Sequence, residues 1–274
     1  MIRRYNLLSV LVFALVLFIS GCDTEDPIDS AARIRIKLTD AGSFVIKEMH
    51  IELTELALFT TDSTDAAGEW VSLEYTGGKY NLLKLMNGKT VQLVDQYFPS
   101  YNNIEKIRLR FGNENRIMTV TDSIIPLQLS PNIIDGVEID VNNIELMPHV
   151  ISYIIVDINA AFSINELNGN WFLDPSARAF PENWGGSISG YVAPLEASPT
   201  VAIAQNDKVY FTLPESDGMF NFIGLEEGAW EVHLMAHPES IYADTVIVID
   251  TLDLGEKKVL TPKPIRLPFK PTGE

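Results

Sequence analysis

Apolar and polar residues alternate one for one along most of this chain, a period that admits strands and excludes amphipathic helices. Ile34, Ile36 and Leu38 alternate with Arg33, Arg35 and Lys37. Met49, Ile51 and Leu53 alternate with His50, Glu52 and Thr54. The phase then jumps to Leu56 and Leu58, which predicts a bulge near Glu55. Ile107, Leu109 and Phe111, and later Val137, Ile139 and Val141, repeat the pattern. Val150 to Ile158 is more uniformly apolar and predicts a strand covered on both faces. Asn87-Gly88 and Asp135-Gly136 are turn signals. No long stretch carries a helical period, and Tyr80 to Met86 is the best candidate for a short helix. The expected fold class is all-β.

The N-terminus reads differently. Arg3 and Arg4 precede an apolar run from Leu7 to Ile19, too short to span a bilayer comfortably and suited to a signal peptide. Ile19, Ser20, Gly21 and Cys22 follow at once, and this run resembles the bacterial lipobox. The resemblance implies cleavage before Cys22, the chain's only cysteine, and attachment of lipid to its thiol. An ordinary secretory signal or an N-terminal membrane helix is the alternative. Asp23-Thr24-Glu25-Asp26-Pro27 resembles the acidic export signal of some Bacteroidetes lipoproteins, and equally suits a solvated tether. The expectation is a signal peptide over 1–21, a lipidated Cys22 with a flexible acidic tether over 22–32, and two β-sandwich-like domains in tandem after them. The partner implied is a lipid membrane and the place is the cell envelope, as an outer-membrane lipoprotein exposed at the surface. Five short triplets, Asp29-Ser30-Ala31, Asp62-Ser63-Thr64, Asp122-Ser123-Ile124, Asp244-Thr245-Val246 and Asp250-Thr251-Leu252, resemble an O-glycosylation sequence of the same bacterial group.

Several segments of the body resemble an uncharacterised bacterial family, domain of unknown function 4382. They are Leu38-Thr39-Asp40-Ala41, the run from Asn81 to Gly88, Ile107-Arg108-Leu109, Leu129-Ser130-Pro131, the run from Ile155 to Ala160, and Phe172-Leu173-Asp174-Pro175 with Arg178. Gly42 departs from the pattern, which favours proline there. The resemblance implies an uncharacterised all-β domain over 33–180 and no mechanism. A linker is expected over 181–186. Beyond it, Ser187 to Val192, Asp217-Gly218-Met219-Phe220 and Gly228-Ala229-Trp230-Glu231-Val232 resemble the transthyretin-like regulatory domain of carboxypeptidases, with Trp230 where tyrosine is usual. That implies a small β-sandwich over 187–267 and a tail over 268–274, with Phe220, Phe222, Trp230 and Val232 facing inward.

Catalytic motifs are missing from the sequence. No phosphate-cradling loop is present, and Gly186-Ser187-Ile188-Ser189-Gly190 lacks the central serine of a nucleophile elbow. His233 and His237 are four apart in a β context, where they do not share a face simply. Asp250, Asp253 and Glu256 lack calcium-loop spacing and read as turn and edge acids, although acidic loops leave calcium open as a ligand. No cofactor is otherwise expected. Trp70, Trp171 and Trp184 would stack on sugar rings if exposed, and pack in the core otherwise.

A net charge of −17 argues against nucleic acid, which needs Lys and Arg against phosphate. With 46% hydrophobic residues the chain has material for a core. The function expected is therefore that of a non-enzymatic binding or structural module anchored in the envelope. The alternatives are a glycan-binding accessory protein and a subunit of a surface assembly, with an envelope protein as partner. A hydrolase would need a pocket with converging carboxylates.

Overall fold

The computed structural model describes residues 31–43, 45–62 and 67–271. The leader, with Ile19, Ser20, Gly21 and Cys22, lies outside the described residues, as do Ser30, Ser63 and most of the tether. The chain is all-β, as the alternation predicts. Thirteen strands build the first body: β1 (Ala32–Asp40), β2 (Ile46–Asp62), β3 (Glu69–Ser72), β4 (Gly78–Asn81), β5 (Val91–Phe98), β6 (Asn102–Phe111), β7 (Asn115–Thr119), β8 (Ile124–Leu129), β9 (Val137–Glu145), β10 (Ile151–Ile158), β11 (Ile164–Leu167), β12 (Asn170–Leu173) and β13 (Ala177–Pro181). Eight build the second: β14 (Gly186–Ala193), β15 (Thr200–Gln205), β16 (Lys208–Thr212), β17 (Met219–Leu225), β18 (Gly228–Met235), β19 (Thr245–Leu252), β20 (Lys257–Val259) and β21 (Ile265–Arg266).

In the first body a sheet ordered β13-β10-β1-β5 faces a nine-stranded sheet ordered β11-β12-β8-β7-β2-β6-β9, with β3 and β4 also paired to β2. Ile34, Ile36 and Leu38 from the small sheet and Met49, Ile51 and Leu53 from the large one share a single core. The bulge expected near Glu55 is present as a register shift between Leu53 and Glu55 against β6. In the second body, β17-β14-β20 with β21 on β14 faces β16-β15-β18-β19. Phe220, Phe222, Trp230 and Val232 lie in its core, as expected. Trp230 is fully buried and donates its indole N–H to the Glu226 carbonyl at 3.0 Å.

Tyr80 to Met86 is not a helix. Tyr80 belongs to β4, and only Leu82–Leu85 form one 3-10 turn, pinned by the buried Leu82 and Leu83. The stretch read as a linker shrinks to residues 182–185, since Pro181 ends β13 and Gly186 opens β14.

The alternation of β1 fails at its end, where Leu38 to Ser43 are all buried. β10, parallel to β1 and paired Thr39 to Asp157, does the same: it is exposed at Ile151 and buried from Ile154 to Ile158. Both strands run out beneath the second body. Gly42 sits there at φ +79, a conformation closed to proline. A Cβ on Gly42 would stand 2.7 Å from Met86 Sδ and 2.8 Å from the Phe211 carbonyl oxygen of the second body. Gly42→Ala is therefore expected to destabilise the protein by about 1–3 kcal/mol, measured by chemical denaturation, because it combines a left-handed backbone with a clash against a carbonyl.

Candidate functional site at the seam between the two sandwiches

Six buried polar residues, Thr39, Asp40, Asn87, Asp157, Asn159 and Thr212, cluster where the first body meets the second. The loop after the 3-10 turn carries Asn87 at φ +61. Thr39 holds that loop on β1, its hydroxyl lying 2.9 Å from the Lys89 carbonyl and 3.0 Å from the Leu85 carbonyl. Asn87 projects into the second body and satisfies its whole amide there. It donates to the Leu213 carbonyl at 2.9 Å and to Glu215 Oε1 at 3.0 Å, and accepts from Thr212 Oγ1 at 2.9 Å and the Asn221 N–H at 3.1 Å. Lys89 adds an ion pair with Glu215 at 2.6 Å. That pair, with the amide of Asn87, holds the Glu215 carboxyl below its ordinary range.

Arg178 on β13 makes the second bridge. Its guanidinium pairs with Asp157 Oδ2 at 2.7 Å and donates to the carbonyls of Ile223 and Gly224 on β17. Its planar face lies 4.2 Å from the Tyr210 ring centroid and 4.9 Å from that of Phe180. Asn159 donates to the Val209 carbonyl at 3.2 Å, and Phe162 packs against Phe211. Asp40 completes the cluster. Its Oδ1 accepts the Ala160 N–H at 3.0 Å. Burial pushes the Asp40 carboxyl up to about 8; backbone N–H groups of Gly42, Ala160 and Ala41 oppose the rise, and the charge of Asp157 adds to it.

The family described as Domain of unknown function (DUF4382) matches residues 31–175, just over half of the 274-residue chain. The chain belongs to the DUF4382 family. Three of the DUF4382-like segments, those carrying Asp40, Asn87, and Asp157 with Asn159, are far apart in sequence yet meet at the seam. Arg178 lies just beyond the matched span. No curated protein matches the chain. Among solved structures, the Bacillus anthracis TIE protein aligns over 97% of this chain and 44% of its own, at 11% identity and a TM-score of 0.24. The chain thus spans less than half the length of that protein. Shaft pilin SpaA from Lactobacillus rhamnosus GG aligns over 89% of this chain and 99% of its own at 7% identity, TM-score 0.23. BcpA, the major pilin subunit of Bacillus cereus, aligns over 88% and 71% at 9% identity, TM-score 0.23. At such TM-scores no argument rests on these likenesses.

The tryptophans chosen from the sequence sit on separate elements and are each half-buried. Trp70 on β3 packs edge-on against Phe59, with the Arg108 guanidinium 4.4 Å from its ring centroid. Trp171 on β12 packs against the first core, and Trp184, in the connection, leans on Phe180. Their neighbours are protein groups, and the three do not form one platform. His233 pairs with Glu231 on its own strand at 3.1 Å, while the His237 N–H caps the Ala197 carbonyl. Asp253 and Glu256 close a turn, with the Asp253 N–H donating to Glu256 Oε2 at 3.0 Å. Among the described residues no three His, Cys, Asp or Glu side chains group as metal ligands. None of the described helical segments is long and apolar enough to cross a membrane.

Sequence reasoning missed the seam. Asn87 was legible only as half of a turn dipeptide and as part of a family-like run, and Arg178 only as part of a family resemblance. A signal was available: Asp40, Asp157 and Asn159 are polar residues at the ends of runs whose pattern otherwise demands apolar ones.

This geometry sets the cost of removing each bridge. Asn87→Ala strands buried partners on the second body and should cost about 2–3 kcal/mol. Arg178→Ala should cost about 2–4 kcal/mol, less than for a fully buried pair because the Arg178 side chain is 26% exposed. Arg178→Lys should not restore the loss, since an ammonium cannot reach both carbonyls and Asp157 at once. Each variant should speed proteolysis at residues 182–185, read by limited digestion. Asp40 should make the fold lose stability as pH rises from about 5 toward 8, because its carboxyl holds its proton more tightly in the fold than in the unfolded chain; carboxyls held below their ordinary range, Glu215 among them, act in the opposite sense as pH falls below that window. The charged and titratable groups facing it are Asp157, Arg178 and Tyr210. Asp40→Asn should flatten that slope in denaturation midpoints taken across the range.

Proposed function

We propose that the chain is a lipid-anchored envelope protein whose two sandwiches act as one stiff, non-enzymatic binding or structural module. The observation that carries this reading is the seam. Asn87 and Arg178 together place four donor contacts on carbonyl and carboxylate groups of the second body, which fixes both rotation and separation. A flexible pair of domains would not spend buried hydrogen bonds this way.

The anchor rests on the lipobox at Ile19, Ser20, Gly21 and Cys22. The tether then enters β1 at the end of the strand opposite the seam. Around that entry the His149 N–H caps the Ala31 carbonyl, and Tyr97, Tyr101, Met147 and Val150 are exposed. Tyrosines with an apolar surround suit the headgroup level of a bilayer. β1 spans roughly 30 Å at ~3.3 Å per residue, so the second body is carried that far outward. That body, with its two four-stranded sheets, we read as a transthyretin-like module, and the place as the outer membrane with the second body facing away from it.

A subunit of a surface assembly is the second reading, favoured by one observation. β19 is an edge strand of eight residues, paired only with β18 among the described residues, with Val246 and Val248 exposed. Such an edge accepts a further strand. Glycan binding has weaker support, because Arg108 already covers the ring of Trp70.

Cys22→Ala should move the protein from the membrane fraction to the soluble fraction, followed by immunoblot. Retention of that variant on membranes would rule the anchor out. Protease shaving of intact cells then separates surface display from periplasmic display.

A further inference from the structure

The second body has two strand edges, and the first body closes only one of them. Asn159 donates to the Val209 carbonyl of β16, and Arg178 to the Ile223 and Gly224 carbonyls of β17. β16 and β17 end their sheets, so the seam caps that side. β19 and β20 end the same two sheets on the far side, each paired on one flank only among the described residues.

Proteins guard a free edge by keeping it short or by setting Lys, Pro or a bulge along it. β20 is guarded: it has three residues, two of them lysines, and Pro262 and Pro264 follow. β19 is not. It runs eight residues with neither Lys nor Pro. Val246 and Val248 are 52% and 62% exposed on its outer face, and Leu254, Val259 and Phe269 stand exposed in the segment that follows. A strand of this kind with such a surround is a pairing site.

Charge identifies what covers it. From 241 to 256 the only charged residues are Asp244, Asp250, Asp253 and Glu256, whereas every charged residue from 257 to 270 is Lys or Arg. The sign reverses at the turn that joins β19 to β20. An edge acidic along one sheet and basic along the other complements itself after a half-turn about an axis parallel to the strands. That rotation lays β20 of one copy beside β19 of the other, and the reverse. The heights agree. A Cβ on Gly186 would meet Leu252, and the next residue, Ser187, pairs with Lys257, so Leu252 and Lys257 stand at nearly one level of the sandwich. The rotation preserves that level and sets Lys257 opposite Asp250 and Val259 opposite Val248. All four side chains are exposed, and neither Asp250 nor Lys257 has an ion pair among the described residues. Opposite charges and branched apolar residues are favourable cross-strand pairs.

We propose that this side is a two-fold interface with a second copy of the chain, β19 of each copy pairing antiparallel with β20 of the other. This rests on the reading of the chain as a subunit of a surface assembly and names its partner. A two-fold contact closes on itself, so the product is a dimer and not a fibre.

The full chain, purified in detergent, is followed by sedimentation velocity over a concentration series. The wild type should pass from monomer to dimer. Val248→Lys should raise the dimer dissociation constant roughly tenfold or more while leaving the Tm of the monomer unchanged, since that side chain is exposed. Asp250→Lys and Lys257→Asp should each weaken the dimer, and the two combined in one chain should restore it. In cells, a tagged copy carrying Asp250→Cys and a differently tagged copy carrying Lys257→Cys should join through a disulfide on mild oxidation, whereas two copies carrying Asp250→Cys should not. A wild type that stays monomeric would overturn the pairing, as would a dimer indifferent to Val248→Lys and to the charge exchange. A monomer retained on heparin resin would assign the basic segment to a polyanion instead. Crosslinks from Asp250→Cys to a different protein would overturn the self-pairing and leave the assembly reading standing. The anchor is tested apart, at Cys22.

Discussion

A guanidinium that sends its donors in two directions decides how the halves of this molecule meet. Arg178 grows from β13 of the first body, is neutralised by Asp157 on the adjacent strand, and ends on two carbonyls of the second. Such a pair is weak evidence for net stability, because removing both ions from water offsets much of their attraction. Its consequence is geometric. A planar fork that must satisfy Asp157, Ile223 and Gly224 together tolerates little rotation, and the rings of Tyr210 and Phe180 close on its faces. Asn87, one loop away, imposes a second set of directions. Two such pegs at separate points define an orientation where one would leave a pivot.

Apolar packing alone would have done this less well. Hydrophobic contact is non-directional and allows neighbouring registries of similar energy. Buried polar groups penalise every registry but the one that satisfies them, and so trade stability for uniqueness. The trade explains why the alternation of β1 and β10 gives way to Thr39, Asp40, Asp157 and Asn159 where those strands leave the core. The same residues that would be misplaced in a free strand end are placed correctly in a seam.

The difference also sets what the sequence could disclose. Period-two alternation is a local property, and it correctly anticipated the strand class and the bulge at Glu55, while the inward faces at Phe220 and Trp230 came with the transthyretin-like segments. The buried half of β10 was legible for the same reason: a strand packed on both sides lacks a polar phase. The short helix at Tyr80 to Met86 failed because a dense run of leucines signals burial without fixing a period, and β4 claimed its first residues. The seam was illegible because its partners lie far apart. Asn87 meets Asn221 across 134 positions, and no local pattern encodes that contact. What the sequence did carry was the turn that lifts Asn87 to φ +61, without the information of what the lifted amide would meet.

Charge points the same way. A chain with a net charge of −17 is expected to keep acidic surfaces apart, yet its two halves are joined face to face. The first body brings Lys89 and Arg178 to the seam. The second answers with Glu215 and a row of carbonyl oxygens, so repulsion is lowest where approach is closest. Asp40, set behind that row, is kept protonated by burial and accepts backbone N–H groups, so it adds little charge to the contact at neutral pH.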